Sequence, residues 1–225
     1  MRGDEESAAE PSTRDIADAV FAISCRSLPV DHAYALSQAI QAALPWFAGE
    51  PRAGLHIIRA AESGSGWMRP EGPDTLLHLS QRTRLVLRLP QHRLEAAAAV
   101  VGRTLDVAGH ALRVDRLAVR PLSRITTLIS HCVLLEGCDS ESEFQLAASR
   151  QLDALGIRPG EMLCGLMTAI ATPGRTLRTR SLMLAGLTRE QSLLLQQRGL
   201  GDERKLGCGL FIPHKAIGDL RARPD

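Results

Sequence analysis

Apolar positions along this chain switch between two spacings, every second residue and every third or fourth, and each switch marks an element. Ala19-Val20-Phe21-Ala22-Ile23-Ser24-Cys25 is a short apolar run that predicts a buried strand. Asp31 then stands as the candidate N-cap of a helix. Tyr34, Leu36, Ile40, Ala43 and Leu44 follow at helical spacing, and Pro45 and Gly49 end it. Residues 54–60 (GLHIIRA) predict a second strand, with His56 and Ile58 on one face and Leu55 and Ile57 on the other. Residues 62–75 (ESGSGWMRPEGPDT) form a loop or hairpin tip, in which Trp67 either anchors the loop or stacks on a base. Residues 83–89 alternate as a third strand, residues 91–101 are Ala-rich and helical, and residues 105–119 are strand material broken at Ala108-Gly109-His110.

The same order then recurs. A strand over 126–135 precedes a helix over 140–155 closed by Gly156. Two strands over 162–172 and 175–185 precede a helix over 188–198, whose Thr188 and Gln191 have capping-box spacing, and a short last strand spans 210–213. Two β-α-β-β-α-β units predict an α+β fold of two tandem ferredoxin-like domains, over 16–121 and 122–220, behind an acidic disordered tail at 1–15.

Composition narrows the chemistry. At 44% hydrophobic and 23% charged the chain is that of a globular protein, and no apolar run approaches the length of a membrane span. Its polar, acidic start, MRGDEESAAEPSTRD, does not have the profile of a signal peptide. Five cysteines without a CxxC pair argue against a disulfide framework and a structural zinc site, and a cytoplasmic setting is expected. Residues 1–19 carry a net −4, so the remaining chain carries +6, with 25 arginines and only 2 lysines. Arginine suits phosphate contacts, although a GC-rich genome gives the same bias. Aromatics at 3% are too scarce for the common base-stacking RNA platform.

The most informative segment is 199–215, GLGDERKLGCGLFIPHK. Gly199, Gly201, Gly207 and Gly209 follow a helix within eleven residues, and Arg204 and Lys205 sit between them. Such a loop is either a structural turn or a cradle whose N–H groups meet phosphate. Neither a Walker loop nor a GxGxxG fingerprint is present. A glycine-rich loop between the last helix and last strand of a tandem ferredoxin-like chain resembles the RAMP superfamily. Together with SCRSLPVDHAYALSQAI and GLHIIRA, it is similar to the CRISPR repeat-RNA endoribonuclease family, in its Myxococcus-type subfamily. The resemblance covers roughly residues 19–217 and departs from the family pattern at Ile57, where a proline often follows the histidine.

The resemblance implies cleavage of CRISPR precursor RNA within its repeats, without metal or other cofactor, through attack of a ribose 2′-OH. The ends would be a 2′,3′-cyclic phosphate and a 5′-OH. It also implies a repeat-hairpin RNA partner and a place beside other effector-complex subunits; a subunit that only caps the RNA is the alternative. Relatives place the catalytic histidine in or shortly after the first helix, which leaves His56 or His32, with Tyr34 close by. The expected RNA contacts are Arg59, Arg178, Arg180, Gly199, Gly201, Arg204, Lys205, Gly207, Gly209, His214 and Lys215. Arg84 and Arg88 share a strand face that either meets RNA or is merely solvated, and Cys208 is a small apolar filler. Alanine at Gly207 and Gly209 is expected to weaken RNA binding while leaving the melting temperature unchanged.

Overall fold

A computed structural model describes residues 15–59 and 75–214. The acidic tail, Trp67 with most of its loop, and Lys215 lie outside the described residues. The N-terminal half runs β1 (Ile16–Ser24), β2 (Ser27–Pro29), α1 (Ala33–Ala43), α2 (Trp46–Gly49), β3 (Gly54–Leu55), β4 (Leu76–His78), β5 (Arg84–Pro90), α3 (Leu94–Ala97), β6 (Thr104–Val107) and β7 (His110–Pro121). The C-terminal half runs β8 (Leu128–Val133), α4 (Glu141–Ala154), β9 (Glu161–Thr172), β10 (Arg175–Ala185), α5 (Arg189–Arg198) and β11 (Ile212–Pro213).

The sheets are antiparallel with strand orders β3-β5-β1-β7-β6 and β11-β8-β10-β9; β2 and β4 form a separate pair. Each larger sheet places its first strand centrally between its third and last, the ferredoxin-like order, so the fold is two such units in tandem. Each sheet buries one face against its own helices. Ala17, Ala19, Phe21, Leu85, Leu87 and Leu89 pack with Leu36, Ile40 and Phe47 in the first half. Leu128, Leu182 and Leu184 pack with Phe144, Leu152 and Leu195 in the second. A third cluster joins the halves through Ala33, Cys132, Ile170, Leu177, Leu206 and Cys208, with Tyr34 and Ile57 against it.

Local chemistry explains the elements. Ser140 and Thr188 are N-caps with complete capping boxes to Glu143 and Gln191. The break at Ala108-Gly109 is a tight hairpin turn, both residues having positive φ (53° and 82°), between β6 and β7. Three expectations need correction. His32, not Asp31, is the residue before α1; the Asp31 carboxylate instead accepts the Ala171 N–H at 2.8 Å and ties β9 to the start of α1. Residues 91–101 are not one helix: 3₁₀ turns flank the four-residue α3, and buried Leu94, Ala97 and Val100 recur every third residue, the 3₁₀ period. The second strand stops at Leu55, where ladder pairing ends, so Ile58 rather than Ile57 joins Leu55 in the core and Ile57 turns toward the other half.

Candidate active site between the two sheets

The face of the first sheet that its helices leave open looks toward the second half, and β-sheet register sets its side chains in rows. Gly54, Arg88, Asp18 and Arg120 are successive cross-strand partners on β3, β5, β1 and β7. The Gly54 hydrogen faces Leu210, whose Cδ2 would lie 2.7 Å from a Cβ there, so glycine lets the C-terminal half approach. Just past β3, His56 donates its backbone N–H to Val86 O at 3.0 Å.

This approach leaves a cleft of about 270 Å³. His56, Arg59, Arg84 and Arg120 line it from the first half, and His131, Gly207, Leu210 and Ile212 from the second. A smaller apolar pocket of about 60 Å³ adjoins it and shares Ile57, Arg59, His131 and Cys132. Among the described residues no group of three His, Cys, Asp or Glu side chains is arranged to hold a metal ion, and no helix is long and apolar enough to cross a membrane.

His56 is the best placed of the expected residues. Its Nε2 is turned inward, 3.8 Å from Asp18 Oδ1, while the ring lines the cleft. Burial and the neighbouring Arg88, Arg120 and Arg204 hold its pKa down to about 3 against the pull of Asp18. The imidazole is therefore neutral at pH 7 and ready to accept a proton. Arg88 explains the carboxylate: Nε and Nη2 donate to the two Asp18 oxygens at 2.8 and 3.2 Å, and Arg120 adds a contact at 3.3 Å. Asp18 is buried, yet these arginines keep its pKa at about 2.

Sequence reasoning missed His131. It lies on β8, far from the first helix, and in the sequence it is one histidine in an unremarkable strand. β8 carries an extra residue there: Val133 and Ser130 pair with Arg180 and Leu182, so His131 and Cys132 together oppose Ser181. The Cys132 carbonyl accepts from Ser130 Oγ at 3.0 Å and from the Gly209 N–H at 2.7 Å, which fixes the bulge. Burial, with Arg59 and His214 nearby, lowers the His131 pKa to about 4.

The other expected residues fall into place around this cleft or away from it. His32 is 1% exposed, and its Nδ1 lies 2.8 Å from Pro29 O, so it braces the entry to α1. Tyr34 packs half-buried on the cluster joining the halves. His214, beside β11, is exposed, with its backbone N–H donated to Thr127 O. Arg178 and Arg180 do not join the cleft. Leu177 and Thr179 are buried toward the first half, so the pleat sends the arginines to the opposite face, where Arg178 meets Asp139 at 3.0 Å and Arg180 donates to Gly165 O at 3.3 Å. The shared face of Arg84 and Arg88 also divides: Arg84 is exposed at the cleft and Arg88 is fully buried.

The glycine loop is the largest correction. Arg204 and Lys205 turn inward, not outward to an anion. Arg204 donates to the Arg198, Gln197 and Arg52 carbonyls, and Lys205 Nζ donates to Glu50 O at 3.0 Å above the Phe47 ring. Burial and other arginines lower the Arg204 pKa to about 10. The glycines are equally internal. All four have positive φ, and a Cβ would lie 2.1 Å from Leu134 O at Gly201, 2.0 Å from Leu200 O at Gly209, and 2.4 Å from Ile57 Cγ1 at Gly207. The loop is a latch between the halves, and of its glycines only Gly207 lines the cleft. Cys208 is fully buried as expected of a filler, and burial pushes its thiol up.

Two expected results follow from this geometry. Gly209→Ala, strained by both its dihedral and Leu200 O, lowers the melting temperature by roughly 5–10 °C, about 2–3 kcal/mol for a chain of this size. Thermal unfolding within 1 °C of wild type would contradict the latch. The unfolding free energy is level between pH 8 and 7 and falls below pH 6.5. His56 and His131 bind protons less readily folded (about 3 and 4) than unfolded (6.5), so the unfolded chain holds more protons through that window. Asp18, at about 2 against 3.8, extends the fall below pH 4. Urea titrations should show a loss of roughly 6 kcal/mol by pH 4, about half from each histidine; a stability maximum near pH 5 would contradict it.

Comparison with known proteins agrees with this architecture. The family model described as Cas6 CRISPR matches residues 17–216. The CRISPR-associated endonuclease Cas6 of Myxococcus xanthus (strain DK1622) is 29% identical over 196 residues, 87% of this chain and 80% of that protein. Among solved structures, a CRISPR-associated protein Cas6 superposes with TM-score 0.58 at 11% identity over 89% of this chain and 99% of its own. A RAMP protein described as binding different RNA substrates gives 0.55 at 14% identity, over 88% and 98%. These structural likenesses bear on the fold. The family match spans both sheets, the cleft and the glycine latch, and the chain belongs to the Cas6 CRISPR family.

Proposed function

We propose that this chain is an endoribonuclease that cuts CRISPR repeat RNA, and that the cut is made in the cleft between the two sheets by attack of a ribose 2′-OH on the adjoining phosphate. The observation that carries the reading is the cleft itself: His56 at its floor, a neutral imidazole beside a fixed carboxylate, with Arg59, Arg84 and Arg120 around it. Such a site supplies what the reaction demands. His56 takes the 2′-OH proton, and Asp18 stabilises the imidazolium that forms. The arginines stabilise the charge that develops on the phosphorane. The ends left are a 2′,3′-cyclic phosphate and a 5′-OH, and no metal or cofactor takes part. The cleavage seam then falls between an N-terminal unit at 16–121 and a C-terminal unit at 122–220, and the product RNA would stay bound as the protein joins other subunits of an effector complex.

The test is cleavage of the repeat RNA of the chain's own CRISPR locus. Cutting persists in EDTA, and 2′-deoxy substitution at the nucleotide before the scissile phosphate abolishes cutting while sparing binding. Loss of cutting on chelation with recovery on magnesium would overturn the mechanism. Tight binding by the wild type without any turnover would instead identify a capping subunit.

A further inference from the structure

We propose that His131 is the second catalytic residue: it donates the proton to the 5′-oxygen leaving group, from the opposite wall of the cleft to His56. The proposal rests on the cleavage reading above and assigns the half of the proton transfer that His56 cannot perform.

Geometry carries it. An in-line displacement at phosphorus has its attacking and leaving oxygens on opposite sides, so the acid and base must approach from opposite directions. His56 enters the cleft from the first sheet and His131 from the second, across the seam that joins the halves. A regular strand would carry His131 through the ladder in strict alternation. The bulge at His131–Cys132 breaks that alternation, and both residues line the cleft. Two hydrogen bonds to the Cys132 carbonyl hold the bulge, one from the glycine latch. This supplies a reason for the latch beyond stability: the Gly209 N–H that fixes β8 also fixes the direction of the acid.

The electron and proton balance closes. The 2′-oxygen forms its bond to phosphorus as its proton passes to His56. The P–O5′ bond breaks, and O5′ takes the proton from protonated His131. His56 ends charged and His131 neutral, and exchange with solvent resets both. Arg59 and His214 act directly on His131; His56, Arg84 and Arg120 share its cleft, and Asp31 lines the adjoining pocket. In the empty cleft the cations keep His131 neutral; an RNA phosphate seated among the arginines offsets them and recruits the proton.

Single-turnover cleavage tests the assignment with two RNAs, one natural and one carrying sulfur in place of the 5′-bridging oxygen, a leaving group that needs no acid. His131→Gln slows cutting of the natural RNA by about 10²-fold or more, binds it within a few-fold of wild type, and cuts the thio-substituted RNA within about 10-fold of wild type. His56→Ala is slow on both. If wild type cuts and His131→Gln cuts the natural RNA equally fast, or is slow on both, the inference falls and the cleavage reading stands. If wild type fails to cut at all, or cuts the 2′-deoxy RNA, the cleavage reading falls first and this with it. Should His131→Gln not fold, the wild-type pH profile decides: the rate declines on the alkaline side with the natural RNA and not with the thio-substituted one. An alkaline decline on both excludes His131 as the acid.

Discussion

Replacing His56 by alanine lowers the single-turnover cleavage rate by about 10²-fold or more while RNA affinity stays within a few-fold of wild type. The expectation follows from position and protonation. His56 lines the cleft with three arginines, Arg59, Arg84 and Arg120, that would hold phosphate without it, so binding is expected to survive its loss. Its ring is neutral at neutral pH because burial and Arg88, Arg120 and Arg204 disfavour the cation. Asp18 lies 3.8 Å from Nε2 and steadies the charge once the proton arrives. Alanine removes the imidazole that the end of β3 offers to the cleft. His32→Ala is the informative control, because that ring is buried against Pro29 O at the start of α1. It lowers the melting temperature and changes the rate much less. If His32→Ala collapses the rate while His56→Ala leaves it within a few-fold of wild type, the roles are reversed.

Arg88→Met destabilises the fold by about 3–5 kcal/mol. Arg88 is fully buried and spends its donors on both halves of the molecule: two on Asp18, one on Gln196 O at 3.2 Å and one on Phe211 O at 2.7 Å. Methionine fills much of the volume but leaves the buried Asp18 carboxylate with only the more exposed Arg120 as its arginine partner and takes the Arg88 donor from two carbonyls. The double change Asp18→Asn with Arg88→Met should recover part of the loss, because it removes the buried charge. Urea unfolding of the three variants gives the comparison. An Arg88→Met variant within 1 kcal/mol of wild type would show that this arginine does not clamp the halves.

Arg88 also shows where reading the sequence stops. Alternation along β5 correctly puts Arg84, Val86 and Arg88 on one face, and an arginine on an open face reads as solvated or as an RNA contact. Which neighbour covers that face is decided by residues more than a hundred positions away, at Gln196 and Phe211. The same holds for Arg204 and Lys205. Between glycines they suggest an anion site, yet they donate to backbone carbonyls of both halves, Arg204 to Arg198, Gln197 and Arg52 and Lys205 to Glu50. His131 is the converse case. A bulge arises from a mismatch in pairing between two strands about fifty residues apart, so no local pattern around His131 announces it.

Periodicity, capping chemistry and turn residues determined the order of the main elements, though not the 3₁₀ character of 91–100 or the early end of β3 at Leu55. Capping boxes at Ser140 and Thr188, the Gly156 stop and the recurrence of β-α-β-β-α-β are local facts, because backbone hydrogen bonding and side-chain spacing act over a few residues. They suffice for two ferredoxin-like units; His56 and His32 are candidates through the family resemblance, by their places around the first helix. Only the tertiary structure decided which arginines line the cleft, which are buried clamps, and that His131 shares the cleft with His56. Those assignments depend on which sheet face is covered by the other half, and that covering is fixed by contacts between residues distant in the chain.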